Sequence, residues 1–304
     1  MKRKIKLILN PMADMGNAWR AASDLRPIIE EYGGADWSGT VYPTHATELA
    51  RQAGEEGYER VIAIGGDGTV HEVLNGLMQL PPERRPILGV VPLGSGNDFA
   101  RAIGVPTRPA EALRRALIGD PRPVDLGRVR DDLGREEYFD NTLGIGFDGV
   151  VNLRSHRLPL IRGFLMYFVA VVQTILLNFD PMRLQIETDS ETIDLSALML
   201  TLCNGPREGG GFHVAPNARP DDGILDYVLV SKVSRPMMFR LIPEFMNGTQ
   251  ARFPQVRLGT FRRLKLTSDR PLYIHADGEV FSGFGTRLHH LEVEVMPGAL
   301  HVAS

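Results

Sequence analysis

Short runs of consecutive apolar residues alternate with amphipathic stretches along the first third of the chain. The runs have the length of buried strands, and the stretches between them repeat apolar residues at helical spacing. The predicted strands are 5–9, 37–41, 61–64 and 87–91, and the predicted helices are 18–32, one from about 46, and 70–78. Repeated strand–helix–strand units predict a parallel sheet with helices on both faces.

The pattern changes near residue 120, after which short strand-like segments recur between turns. The predicted strands are 124–129, 138–143, 184–188, 193–203, 225–230, 264–267, 272–275 and 288–296. Two helices, 163–177 and about 236–246, interrupt this series. We therefore predict an α/β N-terminal domain over 1–120 and a mainly β, sandwich-like C-terminal domain over 121–304. The last strands, near 297–304, could pack back onto the first domain.

The stretch 163–177 is apolar nearly all round but is shorter than the roughly 20 residues that span a bilayer. It is therefore not predicted to be a transmembrane helix. Two interpretations stay open: a buried core helix, or a surface that faces lipid.

The overall charge argues against partners that bind by long-range attraction. A formal net charge of −3 predicts no whole-chain attraction for nucleic acid or anionic lipid, so any such contact must be local, and no nucleic-acid partner is expected. The single cysteine, Cys203, excludes an intramolecular disulfide, and the basic N-terminus is too short in apolar residues for a signal peptide. We expect a cytoplasmic protein whose membrane contact is peripheral and transient.

Two glycine-rich turns each follow a predicted strand and open a helical pattern. They are residues 65–69 (Gly-Gly-Asp-Gly-Thr) and 92–98 (Pro-Leu-Gly-Ser-Gly-Asn-Asp). Such corners let a backbone approach phosphate groups, which the helix N-terminus favours, although a single one is more often only a tight turn. Asn10-Pro11 and Thr40 also fall at predicted strand ends, so four strand ends meet at one crevice. The carboxylates in the two turns favour magnesium beside the phosphates.

The order and spacing of these motifs resemble the diacylglycerol kinase catalytic-domain family, which includes sphingosine and ceramide kinases and bacterial lipid kinases. The matching segments are Asn10-Pro11 with Gly16, 65–69, 92–98, Asn141 with 144–148, 221–226 and 275–279. The Gly-Gly-Asp-Gly-Thr turn alone also occurs in NAD kinases and is near that of phosphofructokinases. The resemblance therefore implies that the first domain has a fold like that of NAD kinases and phosphofructokinases.

The resemblance implies that ATP lies between the two domains. The implied ATP-binding residues are Asn10, Thr40, Gly65, Gly66, Asp67, Gly68, Thr69, Asn75 and Ser95. Thr40 is chosen by its spacing before Ala46, and a solvent-facing threonine is the alternative. Asp67 would carry the network that holds catalytic Mg²⁺, against the alternative of a turn aspartate that bonds its own backbone. Asp14 departs from the family's first loop, where a small residue and glycine are usual, and its carboxylate would repel phosphate unless it points away or joins a metal network.

Phosphoryl transfer also needs a group that accepts the proton of the acceptor hydroxyl. The resemblance points to the segment Asp277-Gly278-Glu279, with Glu279 as the favoured proton acceptor and Asp277 assisting through metal or water. Two residues apart on a strand, they would face the same way, while Gly278 suggests a turn. A solvated surface pair is the alternative. His275 is interpreted as a packing or hydrogen-bonding strand residue.

Bacterial members of the family carry a second, structural Mg²⁺ bound by a carboxylate and two main-chain carbonyls. The resemblance maps these ligands to Arg219, Asp222 and Ile224. A hard cation with oxygen ligands suits such a turn, and a plain Asp-Gly turn is the alternative.

The sequence thus predicts an ATP- and Mg²⁺-dependent kinase of lipid metabolism and phospholipid biosynthesis. The expected acceptor is a hydroxyl of diacylglycerol or a related lipid, with the apolar region 158–179 sheltering the acyl chains. The alternatives are a soluble-metabolite kinase of NAD kinase type and a non-catalytic nucleotide or lipid sensor. A homodimer is compatible with the resemblance, but no residue pattern decides it.

Overall fold

The structure is a computed structural model that describes residues 4–158 and 163–303. The chain forms two compact units, Met1–Asp125 with Gly298–Ser304, and Leu126–Pro297. It passes between them twice, and the predicted division near residue 120 lies close to the first passage.

The first unit is an α/β unit built on a parallel sheet. Its strands are β1 (Ile5–Leu9), β2 (Asp36–Gly39), β3 (Arg60–Gly65) and β4 (Ile87–Pro92). Its helices are α1 (Asn17–Glu31), α2 (His45–Glu55), α3 (Asp67–Met78), α4 (Asp98–Ala102) and α5 (Pro109–Ile118), with 3-10 turns at Ala13–Gly16 and Pro82–Arg84. The strand order is β2-β1-β3-β4, and β3 is buried along its whole length because helices cover both faces.

The second unit is mainly antiparallel β structure. Its strands are β5 (Pro121–Asp131), β6 (Glu136–Phe139), β7 (Thr142–Gly146), β8 (Met182–Thr188), β9 (Thr192–Cys203), β10 (Leu225–Ser231), β11 (Val256–Phe261), β12 (Arg263–Ser268), β13 (Ile274–Ala276), β14 (Glu279–Ser282) and β15 (His290–Ala303). Its helices are α6 (Phe147–Ser155), α7 (Gly163–Leu177) and α8 (Arg235–Asn247), with a 3-10 turn at Gln250–Arg252. The strands β5 and β15 begin in one unit and end in the other.

The central strands of the second unit separate two hydrophobic cores. On β10, Leu225, Tyr227 and Leu229 enter one core, while Val228 and Val230 enter the other, in contact with α7 and α8. This alternation follows from the two-residue period of a strand. The end of β15 returns to the first unit, where Val302 pairs in parallel with Leu88 of β4.

The structure differs from the sequence prediction where tertiary contacts replace regular pairing. The predicted strand 138–143 is two strands, because the N–H groups of Asp140 and Asn141 donate to a side chain, that of Asp277. The strands β11 and β14 and the helix α6 were not predicted from the apolar pattern.

The apolar helix α7 has two different faces. Ala170, Val171 and Ile175 are buried, whereas Leu165, Leu176 and Leu177 are more than half exposed. The buried-core interpretation therefore holds for one face of α7, and contact of the exposed face with lipid stays a prediction. Within residues 4–158 and 163–303, no helix combines the length and apolar content needed to cross a membrane. Part of the predicted acyl-sheltering region, residues 159–162, lies outside the described residues.

Candidate active site

The two glycine-rich turns of the first unit lie directly against each other. A Cβ atom on Gly94 would lie 2.5 Å from the Cα of Gly66, and one on Gly66 would lie 3.2 Å from the Cα of Gly94. Neither position has room for a larger residue without movement of the backbone. The two turns therefore form one structure at the carboxyl ends of β3 and β4.

Asp67 holds these turns together. Its Oδ2 accepts the N–H of Asn97 at 2.7 Å, and its Oδ1 accepts the N–H of Asp98 at 2.8 Å. Asn97 has a left-handed backbone, and its side chain accepts the N–H and donates to the carbonyl of Gly94. Asp67 thus joins the second turn rather than only its own backbone. A carboxylate offers about four acceptor positions, so these bonds are compatible with the predicted magnesium network.

Three further predicted residues lie at neighbouring strand ends. The Asn10 Nδ2 donates to Thr69 Oγ1 at 3.2 Å, and Gly65 leaves room for that hydroxyl, which a Cβ would approach to 2.3 Å. The N–H of Thr40 donates to the carbonyl of Leu9, the residue before Asn10. Asn10, Thr40 and the 65–69 turn therefore follow the adjacent strands β1, β2 and β3.

The remaining predicted nucleotide residues are less closely grouped. Gly68 lies in the first turn of α3, and Ser95 is exposed between β4 and α4. Asn75 lies about two turns further along α3 and donates to the carbonyl of His71 at 3.0 Å. The side chain of Asp14 lies outside the described residues, so its predicted effect on phosphate stays a prediction.

In the second unit, Asp277 and Gly278 form the turn between β13 and β14. Their φ angles are 52° and 90°, as in the type I′ turn that Asp-Gly favours in hairpins. The turn suggested by Gly278 is therefore confirmed. The prediction that Asp277 and Glu279 share one strand face is wrong, because Asp277 belongs to the turn and Glu279 begins β14.

The two carboxylates of this segment have different surroundings. Asp277 Oδ1 accepts the N–H groups of Asn141 at 2.9 Å and Thr142 at 3.0 Å, and its Oδ2 accepts that of Asp140 at 2.9 Å. Glu279 is exposed. Asp277 therefore shapes the backbone around β7, while Glu279 can contact a substrate.

A buried polar cluster includes residues of two sequence motifs, 144–148 and 275–279, but it was not predicted as a site. It consists of Asp148 on α6, Tyr167 on α7, Glu208 and His275 on β13. The Tyr167 hydroxyl lies 3.0 Å from Asp148 Oδ1 and 2.7 Å from Glu208 Oε1. The His275 Nε2 lies 2.9 Å from Glu208 Oε1 and 3.6 Å from Asp148 Oδ2. Among the described residues, Asp148, Glu208 and His275 also form a group whose ligand atoms are close enough to hold a metal ion.

Glycine makes this cluster possible. A Cβ atom on Gly144 would lie 2.1 Å from His275 Nε2 and 2.4 Å from Asp148 Oδ2. The segment 144–148, singled out as a motif, thus supplies both the carboxylate and the space for it. His275 is a hydrogen-bonding residue of strand β13, as predicted. Its contacts with two buried carboxylates were not predicted.

The cluster holds a proton on one of its carboxyl groups. A phenol has one proton, so Tyr167 can donate to only one carboxylate at a time, and the other contact needs a protonated carboxyl. Burial, together with the charge of Asp148, raises the pKa of Glu208 to about 7. Burial opposes ionisation of Asp148 as well, but His275, Thr201 and Tyr167 bring its pKa below the ordinary value. Of the two carboxyl groups, Glu208 is therefore the one that binds a proton more readily.

The cluster lies at the wall of an apolar cavity in the second unit. Asp148, Tyr167 and Glu208 line it together with apolar side chains of α6, α7, α8, β9 and β10. The cavity has about 60 Å³ of space for water-sized molecules, within about 570 Å³ of empty space that includes open solvent. Its lining suits a ligand with an apolar body and one polar group.

The predicted structural metal ligands lie in the turn before β10. Asp222 is exposed and its Oδ1 accepts the N–H of Ile224 at 3.2 Å, while the Arg219 guanidinium pairs with Asp221. Burial and the charge of Asp222 raise the pKa of Asp226 to about 6. The two carboxylates repel each other at this turn, and binding of Mg²⁺ by Arg219, Asp222 and Ile224 stays a prediction.

Comparison with known proteins defines the class of this chain. Residues 4–129 match the diacylglycerol kinase catalytic domain, and residues 141–304 match the YegS C-terminal NAD kinase beta sandwich-like domain. The chain therefore belongs to the diacylglycerol kinase family of lipid kinases, which confirms the resemblance read from the motifs and the predicted fold class.

Individual relatives cover most of the chain. A probable YegS-like lipid kinase of Chromohalobacter salexigens is 38% identical over 264 residues, 84% of this chain and 79% of the relative. A diacylglycerol kinase of Mycobacterium tuberculosis is 31% identical over 303 residues, 98% of this chain and 94% of the relative. The fold is shared with a crystal structure of a Bacillus anthracis protein described as a putative diacylglycerol kinase, with a TM-score of 0.79 and 23% identity over 99% and 96% of the two chains.

Sequence reasoning missed Tyr167, Glu208 and the contacts of His275 with two buried carboxylates. Glu208 stands in a glycine-rich polar stretch typical of a surface loop, and Tyr167 stands in an otherwise apolar helix. Asp148 could have indicated this polar cluster, because it is a carboxylate inside a glycine-rich motif that opens a helix.

Proposed function

We propose that this protein transfers the γ-phosphate of ATP to a hydroxyl group of diacylglycerol or a related lipid. The apolar cavity with a polar end carries this proposal, because a soluble metabolite such as NAD has no need of an apolar cavity of this kind. Family membership implies ATP as the co-substrate.

The first unit supplies what a nucleotide triphosphate needs. The 65–69 turn presents backbone N–H groups at the start of α3, where the helix dipole favours anions. Asn10 and Thr69 add polar side chains at the same sheet edge. The bonds from Asp67 to the second turn keep this cradle in one shape before the nucleotide arrives.

We assign the proton-accepting role to Glu279, because it is exposed while Asp277 is committed to three backbone N–H groups. A carboxylate at this position can take the proton of the lipid hydroxyl as phosphoryl transfer proceeds. Asp277 then acts as a positioning residue.

Magnesium would serve in two places. Bound with ATP near the Asp67 network, it would neutralise phosphate charge during transfer. At Arg219, Asp222 and Ile224 it would fasten the turn before β10.

The acyl chains would enter the cavity of the second unit, beside α7 and α8. The exposed apolar residues of these helices, Leu165, Leu176, Leu177 and Phe239, would contact the membrane surface from which the lipid is taken.

Transfer of radiolabelled γ-phosphate from ATP to a panel of acceptors in mixed micelles tests the proposal. The panel holds diacylglycerol, monoacylglycerol, ceramide, sphingosine, phosphatidylglycerol and NAD, with and without Mg²⁺. A labelled neutral lipid, dependent on Mg²⁺, is the expected result. Label on NAD alone would assign a soluble-metabolite kinase, and bound ATP without any transfer would assign a sensor.

A further inference from the structure

The loop between β2 and α2, residues 40–44, presents apolar side chains to solvent at the nucleotide edge of the first unit. Val41 is 78% exposed and Tyr42 is 47% exposed. Met12, which follows the end of the neighbouring strand β1, is 75% exposed. Apolar groups grouped in this way are characteristic of ligand-contact surfaces.

The ring of Tyr42 is held in place by its neighbours, and the residue is 47% exposed. One face of the ring stacks on His45, with 4.4 Å between ring centroids and 21° between planes. The Tyr42 hydroxyl donates to Glu48 at 2.8 Å, and the His45 Nδ1 accepts the N–H of Val41 at 3.2 Å. A ring that is already ordered loses little conformational freedom when a ligand stacks on it.

The same loop is clamped from α3, the helix that starts at the 65–69 turn. The two carboxylate oxygens of Glu72 accept the N–H groups of Thr44 at 2.9 Å and Ala46 at 3.1 Å. Thr44 has a φ of 72°, which is unusual for a β-branched residue. Strained backbone that neighbouring groups hold in place is common at binding sites.

The order of the strands decides the direction of a bound nucleotide. From the 65–69 turn after β3, the strand ends run through β1 to β2, so the loop lies about 10 Å away at the usual strand spacing. On the opposite side, the second glycine turn packs directly against Gly66. A nucleotide with its phosphates on residues 65–69 can therefore extend along the sheet edge toward β2.

We infer that the base of the nucleotide stacks on the face of Tyr42 opposite His45, with Val41 and Met12 against its edges. This inference rests on the proposed nucleotide-dependent function and names the subsite for its base. Stacking tolerates any base, and the larger face of a purine gains more contact than a pyrimidine.

Calorimetric titration of the full chain with ATP and with tripolyphosphate, which has the phosphates but no base, tests the inference. In the Tyr42→Ala variant, ATP should bind at least about fivefold more weakly, while tripolyphosphate binds as before. The Tyr42→Phe variant keeps the ring and should bind ATP within about twofold of the parent. Trp37→Ala, which removes an exposed aromatic from the body of β2, is the matched control and should change neither affinity.

Three outcomes would overturn the inference. Equal ATP affinity in Tyr42→Ala would show that the ring makes no contact with the base. An equal loss for ATP and tripolyphosphate would show that the ring supports the loop instead. If the parent binds neither compound, the proposed function fails as well, so the two failures are distinguishable.

Discussion

Asp277 and Glu279 are separated by one glycine, yet the fold gives them different surroundings. Glu279→Gln should lower turnover by about 100-fold or more, because the amide cannot take the hydroxyl proton, while the melting temperature stays near that of the parent. Asp277→Asn should lower stability by about 1–3 kcal/mol as well as activity, because its amide group would face backbone donors. Phosphoryl-transfer rates and urea unfolding separate the two effects. The control is Glu292→Gln, which changes another exposed strand glutamate. Equal losses of stability in Glu279→Gln and Asp277→Asn would contradict these roles.

Glu208 makes the stability of the protein depend on pH. Its pKa is about 7 in the folded protein against 4.5 ordinarily, so the folded state binds a proton that the unfolded chain releases between these values. The contribution of Glu208 to the free energy of unfolding is therefore fully present below about pH 4.5 and is lost as the pH rises through about 7. Asp226, whose pKa is raised to about 6, adds to the same trend.

The Glu208→Gln variant should remove its share of this slope, because glutamine resembles the protonated acid. Urea unfolding at intervals from pH 5 to pH 8 measures the slopes, with the exposed Glu187→Gln as control. Parallel curves for parent and Glu208→Gln would place the proton elsewhere in the cluster.

At the scale of elements, α7 and α8 close the apolar cavity of the second unit. Val171 is buried and lines this cavity from α7. Val171→Phe adds volume there and should raise the KM for a long-chain lipid by about tenfold, since overfilling costs about 1–3 kcal/mol. ATP affinity should not change. The exposed Leu133→Phe is the matched control, and an unchanged lipid KM in Val171→Phe would remove the cavity from the acceptor site.

The turn before β10 is the second element whose role can be tested. If Asp222 binds structural Mg²⁺, adding the ion raises the melting temperature of the parent but not of Asp222→Ala, because ligands of the folded state stabilise it. Thermal melts across a magnesium titration measure this. The neighbouring Asp221→Ala, which removes only the pair with Arg219, should still respond. An identical response in all three proteins would leave a plain Asp-Gly turn.

At the scale of the whole molecule, the chain ends by returning to the unit where it began. Val302 is 1% exposed and pairs with Leu88, and Ala299 accepts a hydrogen bond from Arg85. Val302→Ala should lower the stability of the first unit by about 1–3 kcal/mol. Urea unfolding followed by loss of ATP binding reports on that unit, and the exposed His301→Ala is the control. Equal stability in the two variants would show that the last strand is dispensable there.

Local pattern was sufficient for much of the fold. The strand 5–9, the helix 163–177 and the first-unit alternation were predicted because apolar period and turn residues act within a few positions of each other. The glycines of residues 65–69 and the Asp-Gly turn at 277–278 were readable for the same reason, since a tight turn constrains its own residues.

Tertiary structure alone decided which distant residues meet. Asp67 reaches the second glycine turn, Asp277 reaches residues 140–142, and Tyr167 reaches Asp148 and Glu208. No periodicity marks such pairs, because each contact joins segments that are remote in the chain and depends on where the strands and helices pack. The sequence by itself therefore determined the class of fold, the two glycine-rich turns and the kinase family. The packing of the folded chain determined the polar end of the cavity, the different surroundings of Asp277 and Glu279, and the stacking of Tyr42 on His45.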